Sequence, residues 1–193
     1  MTSMPFCSVS AVCSIVLVLA GTGCSSRRLP AVPVPVHERS SDDVSYWDGD
    51  HMTGSPSVRI NLSEQRAYLY KGDQLAGVSL ISSGREGLGT VTGDFRIIQK
   101  DKAHKSSVFG DYVDAGGAII QKDVDRSKDP MPAGTRYDGA KMPHFMRIVD
   151  GTGMHEGFLP GYAASHGCIR MPGFMAEAFF RTVSVGTPVS ILP

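Results

Sequence analysis

Short runs of alternating apolar and polar residues begin at Val58 and recur through the rest of the chain. Two runs, at residues 58–62 and 67–70, are separated by four polar residues, which is typical of a β-hairpin. A Lys-Gly-Asp turn signal then leads into a third run at residues 75–82. The pattern predicts later strands at residues 95–98, 118–120, 145–149 and 189–192.

A single segment, residues 172–183, has helical periodicity. Pro172 suits the first position of a helix, and Phe174, Ala178 and Phe179 fall on one face. Glycine and proline are abundant, at 22 and 12 of 193 residues, which favours short strands and turns over long helices. We therefore predict a mainly β fold, with mixed sheets in a sandwich-like arrangement and one short helix near the C-terminus.

Residues 100–143 show little periodicity of either kind. Long segments without periodicity inside a compact domain are usually functional loops. This segment is therefore predicted to form a loop or lid over the functional site.

The N-terminal part of the chain has the composition of an export signal and a linker. Residues 1–24 contain a ten-residue run that is almost entirely apolar, too short to span a bilayer. Small residues and Cys24 follow this run, a pattern that resembles the lipid-attachment site of a bacterial lipoprotein. The alternatives to a lipoprotein signal are an ordinary cleaved leader and an uncleaved anchor. The Pro- and Ser-rich residues 25–57 are predicted to be a flexible linker. Residues 58–193 then form one folded domain.

The charge balance excludes one class of partner. Lys and Arg together number 19, as do Asp and Glu, so the formal net charge is zero. Proteins that bind nucleic acid through its phosphates need a basic surface. Nucleic acid is therefore not an expected partner.

Among the four cysteines, Cys168 has no obvious structural use. Cys7 and Cys13 lie in the export signal, and Cys24 is the predicted lipidation site. In an oxidising compartment a remaining single cysteine is either buried and inert or kept for its chemistry.

Two histidines lie near Cys168 in the sequence. His166 is two residues before it and His155 thirteen, and we expect pairing with one of them to lower the pKa of the thiol below its usual value of about 8.5. Gly167 permits a sharp turn whose amides face an oxyanion. The spacing is unlike that of zinc sites, so no metal or other cofactor is predicted.

At these residues the chain resembles the L,D-transpeptidase catalytic family. That family has an upstream histidine, then Ser/Thr-His-Gly-Cys, an apolar residue and Arg or Asn. His155, residues 165–168 and Arg170 match this signature. Weaker similarity extends backward through residues 142–148, 90–95 and 78–84.

The resemblance implies a role for each matching residue. Cys168 is the nucleophile and His155 its base, with the Glu156 carbonyl orienting the imidazole. The amides of Gly167 and Cys168 face the oxyanion, and His166 either takes part directly or shapes the site.

Four residues are predicted to bind substrate. Arg170 is expected to anchor a carboxylate, or alternatively to form a structural ion pair. Ser165 is expected to orient groups by hydrogen bonding. Phe145 and Met146 lie in the segment that is similar to the family's substrate loop.

The implied reaction is acyl transfer through a thioester, with peptidoglycan peptide stems as donor and an amine of a stem or protein as acceptor. A hydrolase of the same fold, an L,D-carboxypeptidase or amidase, is the alternative, and a non-enzymatic lipoprotein that binds the cell wall is a third. The expected location is the bacterial cell envelope, in the periplasm, with the membrane reached through lipid on Cys24.

Overall fold

The computed structural model describes residues 42–193, which form two β-sheets and one α-helix. The strands are β1 Tyr46–Trp47, β2 Pro56–Asn61, β3 Arg66–Lys71, β4 Gln74–Leu80, β5 Gly93–Arg96, β6 Gln99–Val113, β7 Ile119–Asp125, β8 Arg136–Val149, β9 Thr152–Glu156, β10 Ile169–Met171 and β11 Pro188–Leu192. Helix α1 spans Gly173–Thr182. The predicted mainly β fold with one short helix is confirmed. The predicted export signal and Cys24 lie outside the described residues.

The first sheet has six strands in the order β1-β4-β3-β2-β11-β5. Strands β2 and β3 form the predicted hairpin, in which Val58 is paired with Leu69 and Ile60 with Ala67. These four side chains are buried, whereas Arg59 is exposed, so the alternation in the sequence places one face of the sheet on the core. Strand β11 is parallel to β2 and antiparallel to β5, which makes the sheet mixed.

The second sheet has five strands in the order β10-β9-β8-β6-β7. Strand β8 is antiparallel to both of its neighbours, β6 and β9. Strand β10 is parallel to β9, and their register sets Arg170 beside His155. The two reactive segments of the sequence are therefore neighbouring strands of one sheet.

The structure corrects the prediction of a loop or lid for residues 100–143. Most of these residues belong to β6, β7 and the first half of β8. Most of β6 before Gly110 is exposed or half-buried, and the first five residues of β7 are exposed. A ribbon with solvent on much of both faces needs no apolar alternation, because backbone pairing alone forms its hydrogen bonds. Periodicity reports burial, and within this segment it therefore predicted a strand only at residues 118–120, at the start of β7.

The folded unit also begins earlier than residue 58. Within the predicted linker, residues 25–57, strand β1 pairs with β4. The indole of Trp47 lies 6.4 Å from the Phe179 ring between centroids, and its Nε1 donates to Asp50. A two-residue strand leaves no periodic pattern, so the polar composition of the segment concealed it.

One apolar cluster joins both sheets and α1. Met175, Ala176, Ala178 and Phe179 are the buried residues of the helix. Phe174, which was predicted on the same face, is 54% exposed, because the buried stripe runs through positions 175, 178 and 179 instead. No helix within residues 42–193 is long and apolar enough to cross a membrane.

Candidate active site

A cleft of about 360 Å³ contains the predicted reactive residues. His155, His166, Cys168 and Arg170 all line it. The pairing of β9 with β10 explains this convergence, because Arg170 lies opposite His155. Cys168 precedes Arg170 by two residues, and side chains two residues apart on an extended segment point to the same face.

The nucleophile turn, defined here as residues 165–168, is held together by one side chain. Ser165 Oγ donates to the Cys168 carbonyl at 2.5 Å and accepts from Gly167 N at 3.1 Å. Gly167 has a φ of +111°, which favours glycine. Ser165, which was predicted to bind substrate, is 1% exposed, and these two bonds orient the turn.

The imidazole of His155 is held in one neutral tautomer. Its Nδ1 lies 2.7 Å from the Glu156 carbonyl, as the resemblance implied. A carbonyl only accepts, so Nδ1 carries the proton and Nε2 is unprotonated. The side chain is 5% exposed, and burial lowers the pKa of His155 from 6.5 to about 4, although the bond to Glu156 acts in the opposite direction. The imidazole is therefore neutral at neutral pH and can accept a proton.

Cys168, the cysteine found in the described part of the chain, is a protonated thiol at rest. Its Sγ is a partly exposed group that donates to the Gly151 carbonyl at 3.5 Å. Burial raises the pKa of the thiol, and the Gly153 amide and the guanidinium groups of Arg147 and Arg170 offset this only in part. The expectation of a lowered thiol pKa is therefore reversed, because desolvation disfavours the thiolate just as it disfavours the imidazolium.

His166 is held against the wall of the cleft by β6. Its imidazole stacks on the Phe109 ring with centroids 4.3 Å apart and planes 21° apart. Burial lowers the pKa of His166 as well. This packing supports a role in shaping the cleft. No sequence pattern marks Phe109, because its segment lacks the alternation of a half-buried strand.

Phe145 and Met146, which were predicted to bind substrate, are fully buried. The Phe145 ring is covered by the His104 imidazole at 4.3 Å and by the Arg147 guanidinium at 5.0 Å from its centroid. It also lies 6.3 Å from the His155 ring. Strand β8 has neighbours on both sides, and its apolar residues here fill the core and pack next to His155.

Several cleft residues were not singled out from the sequence. They include His104, Lys141, Arg147, Thr152 and Phe158. Phe158 is 76% exposed. It could have been identified from the sequence, because it is a large aromatic residue in a glycine- and proline-rich segment. The others have no such signal, because sheet register brings them to the cleft. Residues 42–193 contain no cluster of three His, Cys, Asp or Glu side chains that could hold a metal ion.

The L,D-transpeptidase catalytic domain family model matches residues 55–191. A comparison with curated proteins finds no significant match. Among solved structures, the L,D-transpeptidase from Stackebrandtia nassauensis is 16% identical with a TM-score of 0.52, covering 80% of this chain and 62% of that one. That from Mycobacterium smegmatis is 16% identical with a TM-score of 0.54, covering 72% and 59%.

The L,D-transpeptidase from Xylanimonas cellulosilytica is 19% identical with a TM-score of 0.51, covering 76% of this chain and 64% of that one. At these identities the three structures establish a shared fold. The aligned part covers about three fifths of the length of each of these chains.

Proposed function

The chain belongs to the L,D-transpeptidase catalytic domain family, and on that basis we propose that it is a cysteine acyltransferase acting on peptide stems of bacterial peptidoglycan. The observation that supports this most directly is the base in the cleft. The buried imidazole of His155 is bound through Nδ1 to the Glu156 carbonyl, and Cys168 immediately precedes the adjacent strand. A thiol nucleophile needs a base that is fixed in tautomer and direction.

In the first step, Cys168 Sγ attacks the carbonyl of the diamino-acid residue in a donor tetrapeptide stem. His155 Nε2 takes the thiol proton as the carbon–sulfur bond forms. It then gives that proton to the departing nitrogen of the terminal D-alanine as the peptide bond breaks. The products are a thioester on Cys168 and free D-alanine. Because burial keeps both partners neutral beforehand, the thiolate is generated only as the attack occurs.

In the second step, an amine of another stem or of a protein attacks the thioester. His155 Nε2 accepts a proton from this amine, the carbon–sulfur bond breaks, and the proton returns to the Cys168 sulfur. Water in place of the amine would release a tripeptide, which is the reaction of the alternative hydrolase. The products therefore distinguish the two activities.

Arg170 is proposed to bind a carboxylate of the substrate. It lines the cleft opposite His155. Gly157 makes room for its side chain, because a Cβ there would lie 2.9 Å from Arg170 Cγ. Within residues 42–193 no carboxylate lies in salt-bridge range of Arg170, which favours the anchor over the structural ion pair.

The N-terminal sequence supports a place of action in the cell envelope. We propose that residues 1–24 direct export and that Cys24 carries the lipid which reaches the membrane. The Pro-rich segment that begins at residue 25 would tether the domain. This tether ends before β1, because that strand already belongs to the folded unit.

The test is to incubate the purified protein, in detergent, with disaccharide tetrapeptides and to resolve the products by mass spectrometry. Transpeptidation yields crosslinked dimers and free D-alanine. Cys168→Ala and His155→Gln should yield neither. His51→Gln is the matched control, because this exposed histidine lies outside the cleft. Tripeptides alone would identify the hydrolase, and no product from the wild type would contradict both activities.

A further inference from the structure

The buried hydroxyl of Thr90 joins two distant parts of the site. Thr90 lies in the loop before β5 and is 9% exposed. Its Oγ1 accepts from Gly84 N at 2.9 Å and donates to the Gly167 carbonyl, 77 residues away, at 2.9 Å. An amide only donates and a carbonyl only accepts, so the direction of both bonds is fixed. Thr90 therefore holds the Gly167 carbonyl in one orientation.

This carbonyl and the amide of Cys168 belong to the same peptide unit. The unit is planar, and no cis peptide occurs in the described part of the chain, so its C=O and N–H point in opposite directions. By holding the carbonyl, Thr90 fixes the direction of the Cys168 N–H on the other side of the peptide. Among the hydrogen bonds of residues 42–193, none has the Cys168 amide as donor.

The second amide that the resemblance assigns to the oxyanion, that of Gly167, is already occupied. The Gly167 N–H donates to Ser165 Oγ at 3.1 Å, so it is not free to face an oxyanion as the resemblance implied. Of the two amides that the resemblance assigns to the oxyanion, the Cys168 N–H is thus the one that remains for a developing negative charge. Its direction is set by the peptide that Thr90 holds.

We propose that Thr90 is a positioning residue for acyl transfer, whose hydroxyl aims the Cys168 N–H at the oxyanion. This inference rests on the proposed function. As the carbon–sulfur bond forms, the carbonyl π pair moves onto oxygen, and the N–H stabilises that charge until the C=O re-forms and the amine departs. Thr90 then acts only in reactions that pass through an oxyanion.

The loop that carries Thr90 is packed tightly against the nucleophile turn. A Cβ on Gly84 would lie 2.2 Å from the Leu88 carbonyl and 2.6 Å from Thr90 N, so the loop closes on itself without room for a side chain. Arg85 N donates to the Ser165 carbonyl at 3.0 Å. The loop therefore contacts both ends of the turn, and Thr90 supplies the contact next to the nucleophile.

The test compares two reactions of Cys168 in Thr90→Val, which keeps the shape of the side chain and removes its hydroxyl. Acylation by a tetrapeptide stem forms an oxyanion, whereas alkylation by iodoacetamide displaces iodide from a saturated carbon and forms none. We expect kcat for acylation to fall about 10- to 100-fold with little change in KM, while the alkylation rate stays within about twofold. Thr90→Ser, which keeps the hydroxyl, should recover most of the acylation rate.

The matched control is Thr187→Val. Thr187 is also a buried threonine, whose Oγ1 accepts from Ser184 N, and it lies outside the cleft, so neither reaction should change. Equal losses of acylation and alkylation in Thr90→Val, or no loss of acylation, would overturn the inference. If Thr90→Val does not fold, Thr90→Ala carries the same two readouts. A wild type that alkylates but never acylates contradicts the proposed function instead.

Discussion

Burial of His155 predicts that the protein loses stability in acid through this one side chain. The perturbation is His155→Gln, which keeps a neutral donor for the Glu156 carbonyl and removes the titrating group. In the folded protein the pKa of His155 is about 4, against 6.5 for an unperturbed histidine. Each pKa unit corresponds to about 1.36 kcal/mol, so the difference is worth about 3 kcal/mol.

The sign follows from proton binding. Between pH 6.5 and about 4 the unfolded chain binds a proton at residue 155 and the folded protein does not. The free energy of unfolding therefore falls as the pH falls through this window, and below it no further loss arises from this group. In His155→Gln this fall in the free energy of unfolding does not occur, because the variant has no titrating group at position 155.

The assay is urea unfolding at pH 7.5 and pH 4, followed by the fluorescence of Trp47, the one tryptophan of the chain. The drop in unfolding free energy between the two pH values should be about 3 kcal/mol larger in the wild type than in His155→Gln. All other titrating groups occur in both proteins and cancel. His166→Gln should remove less of the drop, because its imidazole is partly exposed. An equal drop in wild type and His155→Gln would refute the reasoning.

Four further predictions concern single residues. Ser165→Ala leaves the Gly167 amide and the Cys168 carbonyl without their partner. We therefore expect the free energy of unfolding in urea to fall by about 1–3 kcal/mol and acylation to be slower. If either quantity is unchanged, the role given to this hydroxyl is contradicted. Gly84→Ala should lower the free energy of unfolding by about 2 kcal/mol or more, because the new Cβ forces the backbone apart. Gly89→Ala, where a Cβ meets nothing within 4 Å, should lower it by less than about 1 kcal/mol. Similar melting temperatures for the two variants would argue against the tight loop. Lys100 Nζ donates to the Val183 carbonyl, just beyond the C-terminal end of α1, at 2.6 Å. Lys100→Met should therefore lower the free energy of unfolding by about 1–2 kcal/mol. No change would mean that water replaces this hydrogen bond without loss of stability. Cys24→Ser should move the protein from the membrane fraction to the soluble fraction, and unchanged fractionation would count against lipidation.

The sequence alone determined the features that depend on neighbours along the chain. The hairpin of β2 and β3 was predicted because alternating side chains and a short polar connection are local properties. Helix α1 was predicted to within one residue at each end for the same reason. Cys168 stood out because the segment around it, together with His155 upstream, matches a specific family signature, and the structure places both in one cleft.

The tertiary structure decided whatever depends on burial and on pairing between distant segments. Strand β6, most of β7 and the first half of β8 are invisible to periodicity, because they pair through their backbones with solvent on much of both faces. Phe145 and Met146 lie in a segment that is similar to the family's substrate loop, and only the packing around β8 shows that they are inside.

The electrostatic state of the site is also a tertiary property. From the sequence, a histidine beside a cysteine predicts a lowered thiol pKa, whereas desolvation of both groups raises the pKa of Cys168 and lowers that of His155. The bond from Thr90 to Gly167 spans 77 residues, a separation over which no sequence pattern operates. Sequence thus specifies which groups are present and their local geometry, while long-range packing fixes their partners, their solvation and hence their chemistry.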